Sequence, residues 1–167
     1  MDFSDDKLIP MRIQGLIVDP VTEAPIVVLR DKEESRFLPI WIGHPEAKAI
    51  ALTLEGVQVP RPLTHDLFVA TLSTLHASLV RIEIHSLMSS TFYARLILEK
   101  DGEELVIDSR PSDAMALALR AGAAILVSES VLESAKAGAI GDEQDEGDKI
   151  KEILRNLDED DLGDYTM

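Results

Sequence analysis

IDSRPSDAMALALR, Ile107 to Arg120, decides how this chain is built. Pro111 suits the first position of a helix, where its missing N–H costs nothing, and Asp113 falls in the first turn, where a carboxylate favours the dipole. AMALAL follows and is apolar on every side. A helix with no polar face belongs between layers, so this one is expected from about Pro111 to Ala121, buried. The same design occurs earlier in RPLTHDLF, Arg61 to Phe68. It has an arginine before a proline, then an aspartate in the first turn of a helix expected over Thr64 to His76. Leu67, Phe68, Leu72 and Leu75 are expected to face inward from it.

Around these two helices the pattern changes to strands. MRIQGLIVDP (Met11 to Pro20), APIVVLR (Ala24 to Arg30) and RFLPIWIG (Arg36 to Gly43) read as strands, with DPVTE as a turn and Asp31 to Ser35 as a polar connection. Pro39 cannot donate to a ladder and marks an edge or irregular position. Ala47, Ile50, Ala51 and Leu54 fall at i, i+3, i+4, i+7, a helix closed by Gly56. Val80, Ile82 and Ile84 alternate with Arg81, Glu83 and His85, a half-buried strand. Phe92 to Glu99 is another, and Asp101-Gly102 is a hairpin turn leading into ELVID, Glu104 to Asp108. Ile125 to Val127 is a short strand, and Ser128 caps a helix through Ala137. Strands and helices in this order give an α+β fold, a mixed, largely antiparallel sheet packed with helices in one compact domain.

At 167 residues and 46% hydrophobic content there is one domain with a real core. Residues 1–10 read as a flexible N-terminus, 11–137 as the domain, 138–147 as an acidic glycine-punctuated linker, and 148–167 as an amphipathic helix with an acidic tail. Ile150, Ile153, Leu154 and Leu157 form its stripe, which is expected to dock on the core, a second subunit or a partner. No apolar run approaches a membrane span, and the acidic start lacks the basic and apolar regions of a signal peptide. The absence of cysteine removes disulfides and thiolate chemistry and suits a cytoplasmic home. The net charge is −15, but the residues from Ala139 onward carry −8 and the first ten carry −2. The middle is only mildly acidic, so a local basic site is compatible with it.

The two charged helix openings are where chemistry is expected. Arginine binds phosphate bidentately, and exposed helix N–H groups favour an anion. Carboxylates can hold Mg²⁺ or Mn²⁺, which activates water and neutralises phosphate. The candidates are Asp66 and Asp113 as catalytic carboxylates and metal ligands, with Glu46 as a third ligand. His65 is the proton carrier, Arg61 and Arg110 are phosphate clamps, and Ser109 and Ser112 are further substrate contacts. The ordinary reading stands beside this one: Asp66, Asp113, Thr64, Ser109 and Ser112 as helix caps, and the arginines as partners in a structural ion-pair network. Four histidines without H-x-x-x-H spacing argue against zinc. Nucleotide triphosphate, dinucleotide and serine esterase motifs are absent. Arg81, Tyr93 and Arg95 are placed on one sheet face, and Trp41 and Phe92 in the core.

LPIWIGHPEAKAIALTLEG, RPLTHDLF, TFYARLIL and IDSRPSDAMALALR followed by VSESVLESA together resemble the bifunctional nuclease domain family of bacteria, archaea and plants. The resemblance spans roughly Met11 to Ala137, and KIKEILRNLDEDDLGDY is similar to the family's C-terminal end. AAILV, Ala123 to Val127, departs from it where a proline is common. The resemblance implies a compact α+β fold and nuclease activity on DNA and RNA. It brings no set of catalytic residues, so those above rest on chemistry alone. The expected function is therefore a metal-assisted nuclease with nucleic acid as substrate, in a homo-oligomer with no membrane role. The alternative is a noncatalytic oligomeric module that binds a protein partner or an anionic metabolite. The nuclease reading requires the two openings to meet, with Arg61, Asp66, Arg110 and Asp113 around one cleft.

Overall fold

The computed structural model describes residues 6–33 and 35–141. The tail helix and most of the linker expected from the sequence lie outside them. Among the described residues seven strands form one sheet: β1 (Leu8–Val18), β2 (Pro25–Asp31), β3 (Phe37–Trp41), β4 (Ser78–Met88), β5 (Thr91–Lys100), β6 (Glu103–Ser109) and β7 (Ala124–Ser128). Their spatial order is β3-β2-β1-β7-β4-β5-β6. Every neighbouring pair is antiparallel except β4 with β7. The mixed, largely antiparallel α+β fold is thus as expected. The helices are α1 (His44–Leu54), α2 (Thr64–Thr74), α3 (Pro111–Ala121) and α4 (Glu129–Gly141).

The pleat sorts the side chains. In β2, Val27 and Leu29 enter the main core while Ile26 and Val28 join a small second cluster with Ile17 and Phe37 on the other face. The main core also takes Leu38, Ile40, Ile82, Ile84, Leu96, Leu98, Ile125 and Val127 from the strands. It receives Ile50 from α1, Ala114 to Ala118 from α3, and Val131 and Leu132 from α4. The helices therefore cover one side of the sheet. Helix α3 lies between α1 and α2 and rests on β4 and β5, so its all-apolar sequence is fully used. Met115 alone, completely buried, contributes about 1.5–3 kcal/mol before ordering costs.

Turn chemistry sets the register. Asp101 and Gly102 both have positive φ, 54° and 81°, the mirror-image turn that β5 and β6 need. Ser89 and Ser90 make the same kind of turn between β4 and β5 without any glycine, at φ 48° and 59°. Such a backbone costs a non-glycine residue roughly 1–2 kcal/mol, and the ladder from Ser78↔Glu99 to Met88↔Thr91 holds it in place.

Several expectations need correction. Helix α2 buries no residue fully. Leu67 (58% exposed), Phe68 and Leu75 (56%) point outward, and only Val69 and Leu72 pack against the core. The helix is rotated because His65 and Asp66, on the same side as Val69 and Leu72, are drawn inward by partners on α3. Leu54 at the end of α1 is also exposed. Trp41 stays at the surface, where its indole N–H donates to Asp19 at 3.1 Å, a bond that an apolar core does not offer. Phe92 does pack against the core. β1 begins at Leu8, inside the stretch read as a flexible N-terminus, because Leu8 to Met11 pair with β7. α4 continues past Ala137 to Gly141, inside the stretch read as linker.

Candidate functional site at three helix N-termini

Helices α1, α2 and α3 each carry an acid in the first turn: Glu46, Asp66 and Asp113. The fold brings these three ends together. His65 Nε2 lies 2.9 Å from Asp113 Oδ1, which joins α2 to α3. Arg110 Nε donates to Asp113 Oδ2 at 2.7 Å, and its Nη2 lies 3.1 Å from Glu46 Oε1, which joins α3 to α1. Glu46, Arg110, Asp113 and His65 are therefore one connected network, and the two charged openings do meet. The fold places them so because β6 delivers Arg110 straight to the N-cap of α3.

Asp66 belongs to a second knot directly beside it. Its Oδ1 accepts from Arg120 Nε at 2.7 Å and its Oδ2 from the Leu63 backbone N–H at 2.9 Å. Arg120 also donates to the Ala116 carbonyl and to the Ala49 carbonyl of α1, both at 2.9 Å. One guanidinium, 8% exposed, thus ties all three helices. The sequence reading passed over Arg120, although an arginine that ends an otherwise apolar, buried helix must find partners. That requirement was the available signal.

The remaining candidates divide. Arg61 is exposed and makes no hydrogen bond or ion pair with another described residue. Ser109 donates to the Arg110 carbonyl, and Ser112 is buried. None of Thr64, Ser109 and Ser112 caps a helix: the N-caps are Gly43, Leu63 and Arg110, none with a side-chain cap bond. Ser128 does cap α4 through the Val131 N–H at 3.4 Å. Gly43 matters for a different reason. A Cβ there would collide with the Glu46 carboxylate, so the missing side chain lets Glu46 fold back over its own N-cap.

Burial pushes the Asp113 carboxyl up, but the Arg110 and His65 hydrogen bonds outweigh it and hold the group below its ordinary value. The Arg120 hydrogen bond, with help from the Leu63 N–H, does the same for Asp66. Arg110 is raised by Asp113. Both aspartates are thus held ionised. Arg110 is shared by Glu46 and Asp113, and Arg120 holds Asp66.

The expected metal set of Asp66, Asp113 and Glu46 does not fit. The Arg110 guanidinium occupies the space a cation would need between Glu46 and Asp113, and Asp66 turns away to Arg120. Among the described residues no group of three or more His, Asp or Glu side chains is arranged to hold a metal ion. The arrangement supports other chemistry. Arg110, 64% exposed, keeps N–H groups available for an incoming oxyanion. His65 makes its one described hydrogen bond through Nε2, which leaves Nδ1 to exchange a proton.

The arginines expected on one sheet face are already engaged. Arg81 and Arg95 do share a face, but both donate at 2.7 Å to the buried Glu83 carboxylate, and Arg81 also holds Glu104. Burial pushes the Glu83 carboxyl up, and the two arginines override that and keep it ionised. Their charge is spent inside the sheet.

No helix among the described residues is long and apolar enough to cross a membrane. Two relatives from Mycobacterium tuberculosis bear only the description "Uncharacterized protein": MT1877 from strain CDC 1551 / Oshkosh and Rv1829 from strain H37Rv. Each is 40% identical over 161 residues, which covers 91% of this chain and 96% of the relative. Residues 27–139 match the family model described as the bifunctional nuclease domain. That span runs from β2 into α4 and holds every residue of the three-helix cluster, and the chain belongs to the bifunctional nuclease domain family.

Proposed function

We propose that this protein is a nuclease that hydrolyses DNA and RNA phosphodiester bonds at the junction of α1, α2 and α3. The observation that carries the reading is the hydrogen-bonded chain Glu46–Arg110–Asp113–His65 across three helix N-termini. Arg110 binds the non-bridging oxygens of the phosphate, aided by the helix ends and by Arg61 as a second cation. Asp113 orients His65 and stabilises its imidazolium. His65 takes a proton from the attacking water through Nδ1 as the water oxygen bonds to phosphorus and the bridging P–O bond breaks. The leaving oxygen takes its proton from solvent. Ser109 and Asp66 sit at the margin, Ser109 beside the phosphate and Asp66 as the anchor of the helix that carries His65. The absence of cysteine in the chain suits work in a reducing cytoplasm.

The test is digestion of single-stranded DNA and RNA by purified wild type, with and without EDTA, beside His65→Gln, Asp113→Asn and Arg110→Ala. We expect each variant to lose on the order of a hundredfold or more in rate. We also expect EDTA to leave most of the activity, because Glu46 and Asp113 are bridged by Arg110 and Asp66 is held by Arg120. Equal digestion by all the proteins would identify a contaminant and remove the reading.

Two observations favour a second reading. Arg110 and His65 already have carboxylate partners, and the whole chain carries −15. A noncatalytic oligomeric module holding an anionic metabolite or a protein partner fits those facts. Binding of a nucleotide without turnover, abolished by Arg110→Ala, would support it.

A further inference from the structure

Glu46 touches Arg110 but takes no part in the chemistry proposed above. Its Oε1 lies 3.1 Å from Arg110 Nη2, and among the described residues it makes no other hydrogen bond or ion pair. Asp113 holds the same guanidinium through Nε at 2.7 Å, and its second oxygen is held by His65 at 2.9 Å. The two carboxylates are therefore unequal. Asp113 is anchored at both oxygens and sets the direction of the guanidinium. Glu46 rests on it through one longer contact. With Nε engaged, bidentate capture of a phosphate falls to Nη1 and Nη2, and Glu46 sits on Nη2. Gly43 keeps it there. The Gly43 backbone, φ −75° and ψ 158°, suits any residue, so the chain does not need glycine for its conformation. A Cβ would instead fall on Glu46 Oε2. That atom is the flexible end of a side chain, so an alanine there moves the carboxylate and leaves the fold in place.

We propose that Glu46 is an internal competitor for the phosphate clamp, a carboxylate latch on Arg110 that the phosphate of a substrate must displace. The inference rests on the part of the preceding reading in which Arg110 binds phosphate, and not on hydrolysis. A carboxylate oxygen and a non-bridging phosphate oxygen offer a guanidinium the same acceptor. An ion pair with a guanidinium that is 64% exposed is weak enough to give way. When it does, Asp113 still holds Nε, so the freed nitrogens keep their aim. The fraction of molecules with the latch open then scales the apparent affinity of the clamp. The opposite role gives the opposite sign: if Glu46 steadied Arg110 for its ligand, losing that contact would weaken phosphate binding.

Inorganic phosphate is the probe, titrated into the full chain at low salt and followed by the NMR signals of the Arg110 Nε–H and the α1 amides. This reads binding without turnover. Glu46→Gln should tighten phosphate roughly threefold to tenfold. Removing any nearby negative charge would give part of that gain, so Gly43→Ala decides the matter. It keeps every charge and only shifts the Glu46 carboxylate, and it should tighten phosphate by about threefold or more. Glu46→Asp, which keeps the charge but falls one methylene short, should act in the same direction. Adding Arg110→Ala to Gly43→Ala should abolish the gain. Tighter binding in Glu46→Gln alone, with Gly43→Ala and Glu46→Asp unchanged, reduces the effect to charge and overturns the latch. Weaker binding in the variants, or no phosphate binding by any of the proteins, overturns it as well. Digestion is judged separately. A protein that digests nucleic acid but shows no gain loses the latch and keeps the nuclease reading, and one that shows the gain but digests nothing does the reverse.

Discussion

Helices α2 and α3 open alike, with an arginine, a proline and a first-turn aspartate, yet the fold treats them differently. Every residue from Ala114 to Ala118 in α3 is buried, whereas α2 has none. Helix α3 is held by packing. Helix α2 touches the core through Val69 and Leu72 and is otherwise held by two polar clamps, His65–Asp113 and Asp66–Arg120. The cluster that reads as a site is thus also the fastening of one of its own walls. Chemistry and attachment are joined in the same side chains, and the comparison tells which variants will separate them.

The largest expected effect is on the packed side. Met115→Ala should cost about 2–5 kcal/mol, from lost burial plus the cavity left behind. Leu67→Ala, at a similarly apolar residue of α2, should change stability by no more than about 0.5 kcal/mol. Urea unfolding of the two variants checks the contrast. A comparable loss in both would mean that the outward face of α2 is covered.

Arg120 should come next. Its removal strips Asp66 of its partner and frees two carbonyls on α1 and α3. Because Asp66 remains partly hydrated, the loss should be about 2 kcal/mol, below that of a fully buried pair. Arg120→Ala should lower hydrogen-exchange protection in α2 far more than in α3, and Arg120→Lys should restore part of it. Equal loss across both helices would show that the clamp serves the whole core.

The sequence made the sheet legible because period-two alternation and the Asp101-Gly102 turn are local signals. Helix α3 was legible because a run such as AMALAL has only one stable environment. The rotation of α2 was not legible. Leu67, Phe68, Leu72 and Leu75 make as good an apolar stripe as the one the fold uses, and the choice is made by contacts with Asp113 and Arg120, about fifty positions away. The same long-range pairing hid the failure of the metal set. Glu46, Asp66 and Asp113 are chemically suited to a cation, but only the folded chain places Arg110 between two of them. Trp41 was misplaced because no local signal pairs its indole N–H with Asp19, 22 positions earlier in the DPVTE turn.

A pH measurement sharpens the clamp itself. The folded-state pKa of Asp66 is depressed below its ordinary 3.8. A depressed carboxylate stabilises the fold above its unfolded value and loses that contribution as pH falls through the folded one. Wild type should exceed Asp66→Asn by about 1 kcal/mol near neutrality, the worth of a charge-assisted hydrogen bond at a partly hydrated site. The gap should shrink below pH 3.8 and close in stronger acid. Other depressed carboxyls, such as Asp19 at about 2, are common to both proteins and cancel in the difference. A gap that does not change with pH would mean that the asparagine costs packing and not charge.

The smallest effect concerns how the two helices end. Helix α3 stops at Gly122 with φ 66°, and the Ala123 N–H closes onto the Ala118 carbonyl. Helix α2 ends with the same left-handed backbone at His76, φ 56°, where the His76 and Ala77 N–H groups close onto Ser73 and Leu72. Glycine takes that conformation without a Cβ penalty, and histidine does not. Against that, glycine adds freedom to the unfolded chain, which offsets part of the gain. His76→Gly should therefore stabilise the protein by about 0.5 kcal/mol, while Gly122→Ala should destabilise it by about 1 kcal/mol. Thermal unfolding of both variants reads the pair. If His76→Gly is destabilising, the exposed imidazole contributes a contact that outweighs its backbone strain, and the loosely held helix is fastened at its far end as well as at the site.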